Sequence, residues 1–336
     1  MLKPGITRFL LAAFVIFFHI SKFFFLGRFA VCSFFILSGY WITLMFEKKY
    51  SLKENPLKTF YISRVWRLFP IFYAFTIIGF FVWWLTDRSV PSVINSLHGI
   101  DSAVFWLSNT VLFTYYSLPK VTILVPAWSL DIEMQFYILF PLLFYIGYKN
   151  YKRLNYIFLA TLLSFVYVSV CYSNLWVKNS MLVYLYLFVF GMIIYFRKLQ
   201  FKSITEKICI IIALIITALQ YVFPYSIHHY KDEASVYYIM LSFVLVALFV
   251  PTLANSVRRT SDKNDRFWGE MSFLVYLSHW VWIKPYGFFS EGTSTLVHTI
   301  YLLLFFAVTF LSSLIIYKLI DRPMEKLRHQ WINKQP

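Results

Sequence analysis

Arg8 and His19 lie eleven residues apart in one apolar run, Ile6-Thr-Arg-Phe-Leu-Leu-Ala-Ala-Phe-Val-Ile-Phe-Phe-His. On a helix that rises about 1.5 Å and turns about 100° per residue, they are about 16 Å apart along the axis and about 20° apart around it. An arginine and a histidine therefore share one helix face, at depths that differ by half a bilayer. Ionisable side chains inside a membrane helix are costly, and a functional site is their default reading. The plainer alternative lets Arg8 snorkel to the headgroups while His19 hydrogen-bonds a neighbouring helix.

A second pair, Arg64 and Arg67, sits at i and i+3 in Phe60-Tyr-Ile-Ser-Arg-Val-Trp-Arg-Leu-Phe-Pro70. On a helix they share a face at the membrane edge. Two guanidinium forks suit a phosphate or pyrophosphate, and ordinary basic anchoring is the alternative. In Pro126-Ala-Trp-Ser-Leu-Asp-Ile-Glu-Met-Gln-Phe-Tyr137, Asp131 and Glu133 are two apart and point in different directions on a helix. Only one can face the cavity of His19. By position in their spans, Glu133 and His19 lie about 8 Å and about 9 Å below the outer ends of their helices. Matched depth is the condition for a His–carboxylate pair, in which the carboxylate fixes the tautomer and steadies the imidazolium of a general base. Alternatively, Glu133 satisfies backbone donors near the interface. His279 is either a substrate contact or a structural histidine. Trp128, Asp131 and His279 are the candidates for substrate contact. Helix termination and a local ion pair account for Asp321-Arg322-Pro323. His228, His229 and the three cysteines, Cys32, Cys171 and Cys209, show no metal-ligand spacing, so no metal is expected and the thiols are read as free and buried.

The elements that must position these residues follow from composition. The 336-residue chain is 60% hydrophobic and 14% charged, with mean hydropathy +0.66. Soluble domains average about 25% charged residues. The chain therefore reads as an all-α polytopic membrane protein. It forms a single domain over 1–336, and its first apolar run is a retained helix rather than a signal peptide. Windows of spanning length fall at 6–25, 29–46, 69–86, 128–147, 156–173, 180–196, 208–223, 235–254, 271–284 and 297–317, about ten helices, the ninth drawn short. With the N-terminus inside, this topology places 24 of the 31 Lys and Arg residues on the cytoplasmic side. A full crossing by the further apolar stretch 104–118 would move 16 of them outside, so that stretch is read as interfacial or re-entrant on the outer side. Both termini are then cytoplasmic. Basic loops facing anionic lipid also explain the net charge of +16 without nucleic acid.

With these residues placed, the chain resembles the membrane-bound acyltransferase-three family, whose members O-acylate surface polysaccharides and related glycans. The resemblance rests on Arg8-x10-His19, Phe34-Phe-Ile-Leu-Ser38-Gly39-Tyr and Arg64-x-x-Arg67. It extends through Trp128-Ser-Leu-x-x-Glu133-x-x-Phe-Tyr137, Ser272-x-x-x-Tyr276-Leu-x-His279 and Arg322-Pro323. It implies a ten-helix bundle in a bacterial inner membrane that passes an acyl group, usually acetyl, from cytoplasmic acyl-coenzyme A to a hydroxyl of an outer glycan or lipid-linked sugar. His19 would be catalytic base or acyl relay, and Arg8 a partner in the donor channel. Arg64 and Arg67 would hold the coenzyme A phosphates, and Glu133 would support the site. Two departures touch polar detail: Cys32 stands where relatives often carry an acidic residue or proline, and Met134 replaces a frequent second glutamate. Some relatives append an esterase-like soluble domain. The short tail here implies that transfer finishes in the membrane domain or on a separate acceptor-side protein. A transporter or flippase for a lipid-linked glycan is the competing reading, with Arg8 and His19 as substrate path and proton relay.

Overall fold

Runs of Phe, Leu, Ile, Val and Tyr satisfy their backbone groups internally when helical, which hydrocarbon demands of a single-chain span. The computed structural model describes residues 2–21, 26–86, 94–112, 115, 122–171, 180–222 and 236–335. In chain order its helices are α1 (Pro4–Ser21), α2 (Gly27–Met45), α3 (Pro56–Thr86), α4 (Ile100–Val111), α5 (Trp128–Lys149), α6 (Lys152–Cys171), α7 (Met181–Phe196), α8 (Ser203–Val222), α9 (Val236–Ser256), α10 (Lys263–Ser290), α11 (Thr295–Ile316) and α12 (Arg322–Lys334). No strand occurs among the described residues. Phe46–Tyr50 and Tyr317–Asp321 are π-helical turns that prolong α2 and α11, and Val125–Ala127 is a 3-10 turn.

Each apolar window in the sequence overlaps one of these helices. Among the described residues, five helices are long and apolar enough to cross a membrane: Gly27–Tyr50, Pro56–Thr86, Val125–Lys149, Tyr238–Ser256 and Thr295–Lys334. Rows of outward apolar side chains, such as Ile208, Ile211, Leu214 and Ile215 on α8 and Leu296, Ile300, Leu303 and Leu304 on α11, suit lipid rather than water. α10 extends beyond its 271–284 window on both sides. α4 has 12 residues and ends at Leu112 in the left-handed region, φ 54°. At about 1.5 Å per residue it is about 18 Å long, well short of the roughly 30 Å hydrocarbon core. The cysteines are free, as expected, but only Cys32 is buried; Cys209 is half-buried and Cys171 exposed, because they lie on outward helix surfaces.

The chain forms two units, and the first comprises Met1–Met45 and Phe136–Glu270. α7 is its centre, buried along most of its length. α2 crosses α7 backbone to backbone. A Cβ on Gly39 would lie 2.1 Å from the Phe188 carbonyl oxygen, and one on Gly191 would lie 2.1 Å from that of Ile36. Small residues allow such approach between membrane helices, which gives the Ser38-Gly39 motif a packing role. The start of α1 is fixed by Asp265, 1% exposed, which accepts from the amides of Gly5 at 3.1 Å and Ile6 at 2.9 Å. Those amides would otherwise be orphan donors at a helix start. Ser261 Oγ donates to the same carboxylate at 2.6 Å. Arg259 ties the chain start down as well, donating to the Leu2 carbonyl at 2.6 Å and to Glu206 at 2.7 Å. Lys3 and Asp262 form an ion pair at the surface; their hydrogen bond holds the lysine above and the aspartate below its usual range.

The second unit comprises Phe46–Gln135 and Met271–Pro336. Its longest helix, α3, has 31 residues, about 46 Å, which exceeds the roughly 30 Å core by several turns. Arg64 and Arg67 lie in the early part of this helix. α12 packs along the same part through Trp66 and Trp331, ring centroids 5.7 Å apart.

Candidate active site

In the first unit Arg8 and His19 are both half-buried on α1. Arg8 lies beside Gly269 of α10, where a Cβ would come 4.0 Å from its Nη1. His19 occupies the last turn of α1 and meets the Phe18 ring edge-on at 5.2 Å. Phe18 in turn lies against Gly27, where a Cβ would come within 2.5 Å of its ring. The start of α2 is thereby fixed beside the end of α1. The next residue is Arg28, which the sequence reading passed over. Its Nη1 donates to Tyr184 Oη at 3.3 Å, and its guanidinium lies 5.6 Å from the centre of the Tyr238 ring. A charged residue directly before the second apolar window, which starts at residue 29, was the available signal.

The second unit gathers Ser129, Glu133, Tyr276 and His279. Tyr276 Oη donates to the Pro126 carbonyl at 2.9 Å and lies 2.9 Å from Ser129 Oγ. The turn that starts α5 is thus tied to α10. Glu133 is half-buried on the first turns of α5, within electrostatic range of Tyr276. His279 is fully buried, its ring 6.1 Å from that of Tyr276. Asp131 is 2% exposed and accepts from the Tyr115 amide at 2.7 Å and from Gln135 Nε2 at 2.8 Å. These contacts anchor the chain at Tyr115. Trp128 is half-buried at the start of α5.

In the same unit, Arg64 and Arg67 enter a network with α12, and the Arg67 guanidinium lies 5.9 Å from the centre of the Phe273 ring of α10. Arg64 donates to Tyr50 Oη at 2.5 Å, and Tyr50 shares a 2.7 Å hydrogen bond with Ser63. Arg67 Nη1 lies 3.2 Å from Asp321 and 3.8 Å from Glu325. Asp321 therefore reaches beyond the local pair expected of Asp321-Arg322-Pro323, to a partner 254 residues away. Pro323 stands in the first turn of α12, where its missing amide is no loss. Glu325 also pairs with Arg328, and accepts from His329 Nε2 at 3.0 Å. Lys49 donates to His329 Nδ1 at 2.9 Å.

Arg8 and His19 belong to the first unit; Arg64, Arg67, Trp128, Asp131, Glu133 and His279 belong to the second. His228 and His229 lie outside the described residues. Among the described residues, no three His, Cys, Asp or Glu side chains gather as a metal site would require.

A protein of Haemophilus influenzae that carries no functional name is 29% identical over 137 residues, covering 39% of this chain and 55% of that protein. Peptidoglycan O-acetyltransferase OatA of Listeria monocytogenes is 34% identical over 165 residues, 44% of this chain and 25% of its own length. The chain thus matches about half of the first relative and a quarter of the second. No solved structure matches. Residues 5–318 match the model of one acyltransferase domain family. That match takes in every motif from Arg8-x10-His19 to Tyr276-Leu-x-His279, and the chain belongs to the acyltransferase-three family.

Proposed function

We propose that the protein transfers an acetyl group from cytoplasmic acetyl-coenzyme A to a hydroxyl of a surface glycan or lipid-linked sugar. The observation that carries this reading is the family match over residues 5–318, and the O-acetyltransferase name of the Listeria relative supports it. On this reading the chain crosses a bacterial inner membrane about ten times, with both termini cytoplasmic.

Arg64 and Arg67 hold the donor's phosphates, as two forks on one helix face can. The slender pantetheine arm extends past Arg8 to bring the thioester to His19. His19 removes the proton from the acceptor hydroxyl as its oxygen attacks the thioester carbonyl, and Glu133 is the supporting carboxylate of this reading. The new C–O bond forms, the C–S bond breaks, and the proton passes to the departing thiolate. An equivalent balance holds if His19 first takes the acetyl group and then yields it to the acceptor. Trp128, Asp131 and His279 shape the acceptor side, and a separate protein can complete delivery.

The test is mass spectrometry of surface glycans from cells carrying the wild type or His19→Ala. The variant is expected to reach the membrane in normal amount and to abolish the acetyl mass increment. Undiminished acetylation would remove His19 from the mechanism. Glycan movement without acetyl-coenzyme A consumption would replace transfer by transport.

A further inference from the structure

Arg328 lies on α12, outside the motifs that carry the family resemblance, yet it is only 5% exposed. A buried guanidinium is costly unless its donors are satisfied. Arg328 pairs with Glu325 through Nη2. Its Nη1 reaches the Ser63 carbonyl at 3.5 Å, the outer limit of a hydrogen bond. Its Nε–H has no partner among the described residues. The fork therefore has donor capacity to spare.

The surroundings say what would use it. Arg64 donates to Tyr50, Tyr50 bonds Ser63, and Arg328 reaches Ser63 from α12, so two guanidinium groups converge on one Tyr–Ser pair. Lys49 joins through His329. Arg67 and Arg328 pair with Asp321 and Glu325, while Lys49 and Arg64 bring two further basic side chains to the same network. The planar Arg328 fork with its spare donor, beside further basic side chains, matches the oxygens of a polyphosphate.

We propose that Arg328, with Arg64 and Lys49, binds the phosphates of the acyl donor, so that α12 forms a wall of the donor site. The inference rests on the coenzyme A reading above and adds to it a binding residue from the last helix. Asp321 and Glu325 keep Arg67 and Arg328 oriented, and the incoming phosphate takes up the spare Arg328 donor. A lipid headgroup phosphate offers the same chemistry, and the experiment separates the two sources.

Free coenzyme A is titrated by calorimetry into the full chain in phosphatidylcholine nanodiscs. Arg328→Ala is expected to weaken binding about tenfold or more, the scale of one or two hydrogen bonds to a charged acceptor, and Arg328→Lys less so. The preference in kcat/KM for acetyl-coenzyme A over acetylpantetheine, which lacks the nucleotide phosphates, should fall with Arg328→Ala. A folding defect would depress both donors together and leave that ratio unchanged. If Arg64→Ala weakens binding while Arg328→Ala leaves affinity and ratio as in the wild type, the α12 assignment is overturned and the donor reading stands. If the wild type binds no coenzyme A, the donor reading itself falls. If Arg328→Ala loses only retention of added phosphatidylglycerol, with coenzyme A affinity intact, the site belongs to lipid and the proposal is wrong.

Discussion

Arg67 and Asp321 join α3 to the segment that closes the second unit, with side chains 19% and 7% exposed. A pair so shielded is screened by salt less than a surface pair, and removing one partner leaves the other charge poorly compensated. Asp321→Asn keeps the shape and removes the charge. It is expected to cost about 2–3 kcal/mol, with Glu325, at 3.8 Å from Arg67, retaining part of the interaction. A double-mutant cycle with Arg67→Ala and Asp321→Ala, read by denaturant unfolding in detergent, should give a coupling of about 1–3 kcal/mol; additive losses would make the pair incidental. The Arg64-x-x-Arg67 spacing was legible because i and i+3 share a helix face. The carboxylate that holds Arg67 was not, since local spacing says nothing about a residue 254 positions away. Asp265, which caps α1 from 259 and 260 residues downstream, escaped notice for the same reason.

At the scale of the helix, glycines separate close packing from spare room. Gly39 and Gly191 let α2 and α7 meet through backbone, each Cβ position lying 2.1 Å from a carbonyl oxygen of the other helix. That gap is far inside van der Waals contact and no side-chain rotation relieves it, so Gly39→Ala or Gly191→Ala must separate the helices. Overpacking of this kind costs about 1–3 kcal/mol or more. Gly287 in α10 has nothing within 4 Å of its would-be Cβ. Gly287→Ala should therefore gain about 0.5–1 kcal/mol from helix propensity alone. Thermal unfolding of the three variants by fluorescence-detected size-exclusion chromatography checks the contrast. Equal behaviour at positions 39 and 287 would count against the packing argument. The sequence showed Ser38-Gly39 as part of a motif without revealing what needed the glycine, because the demand comes from a helix about 150 residues away.

For the whole molecule, the hydrocarbon thickness makes helix positions legible, since each apolar window reports a length the bilayer imposes. The ends were less so. α10 was drawn short because Lys263, Asp265, Arg266 and Glu270 interrupt its apolar pattern while the helix runs through them. α4 is the element on which topology turns. If it crossed, the basic segments after it would change sides against the positive-inside rule; at about 18 Å it is too short to do so. The expected arrangement keeps Lys3 and Lys334 on the cytoplasmic side and the residues around Gly99, at the start of α4, on the outer side. Single cysteines at Lys3, Gly99 and Lys334, in a background with Cys32, Cys171 and Cys209 replaced, test this directly. Gly99 has open space at its Cβ position but φ of 55°, so Ser102 on α4 serves as an unstrained second site. A membrane-impermeant maleimide should label the Gly99 and Ser102 positions in intact cells, and Lys3 and Lys334 only after permeabilisation. Labelling of Lys334 but not of Lys3 in intact cells would mean that an odd number of segments crosses, and would put α12, with the Arg64–Arg67 network it packs against, on the side away from a cytoplasmic acyl donor.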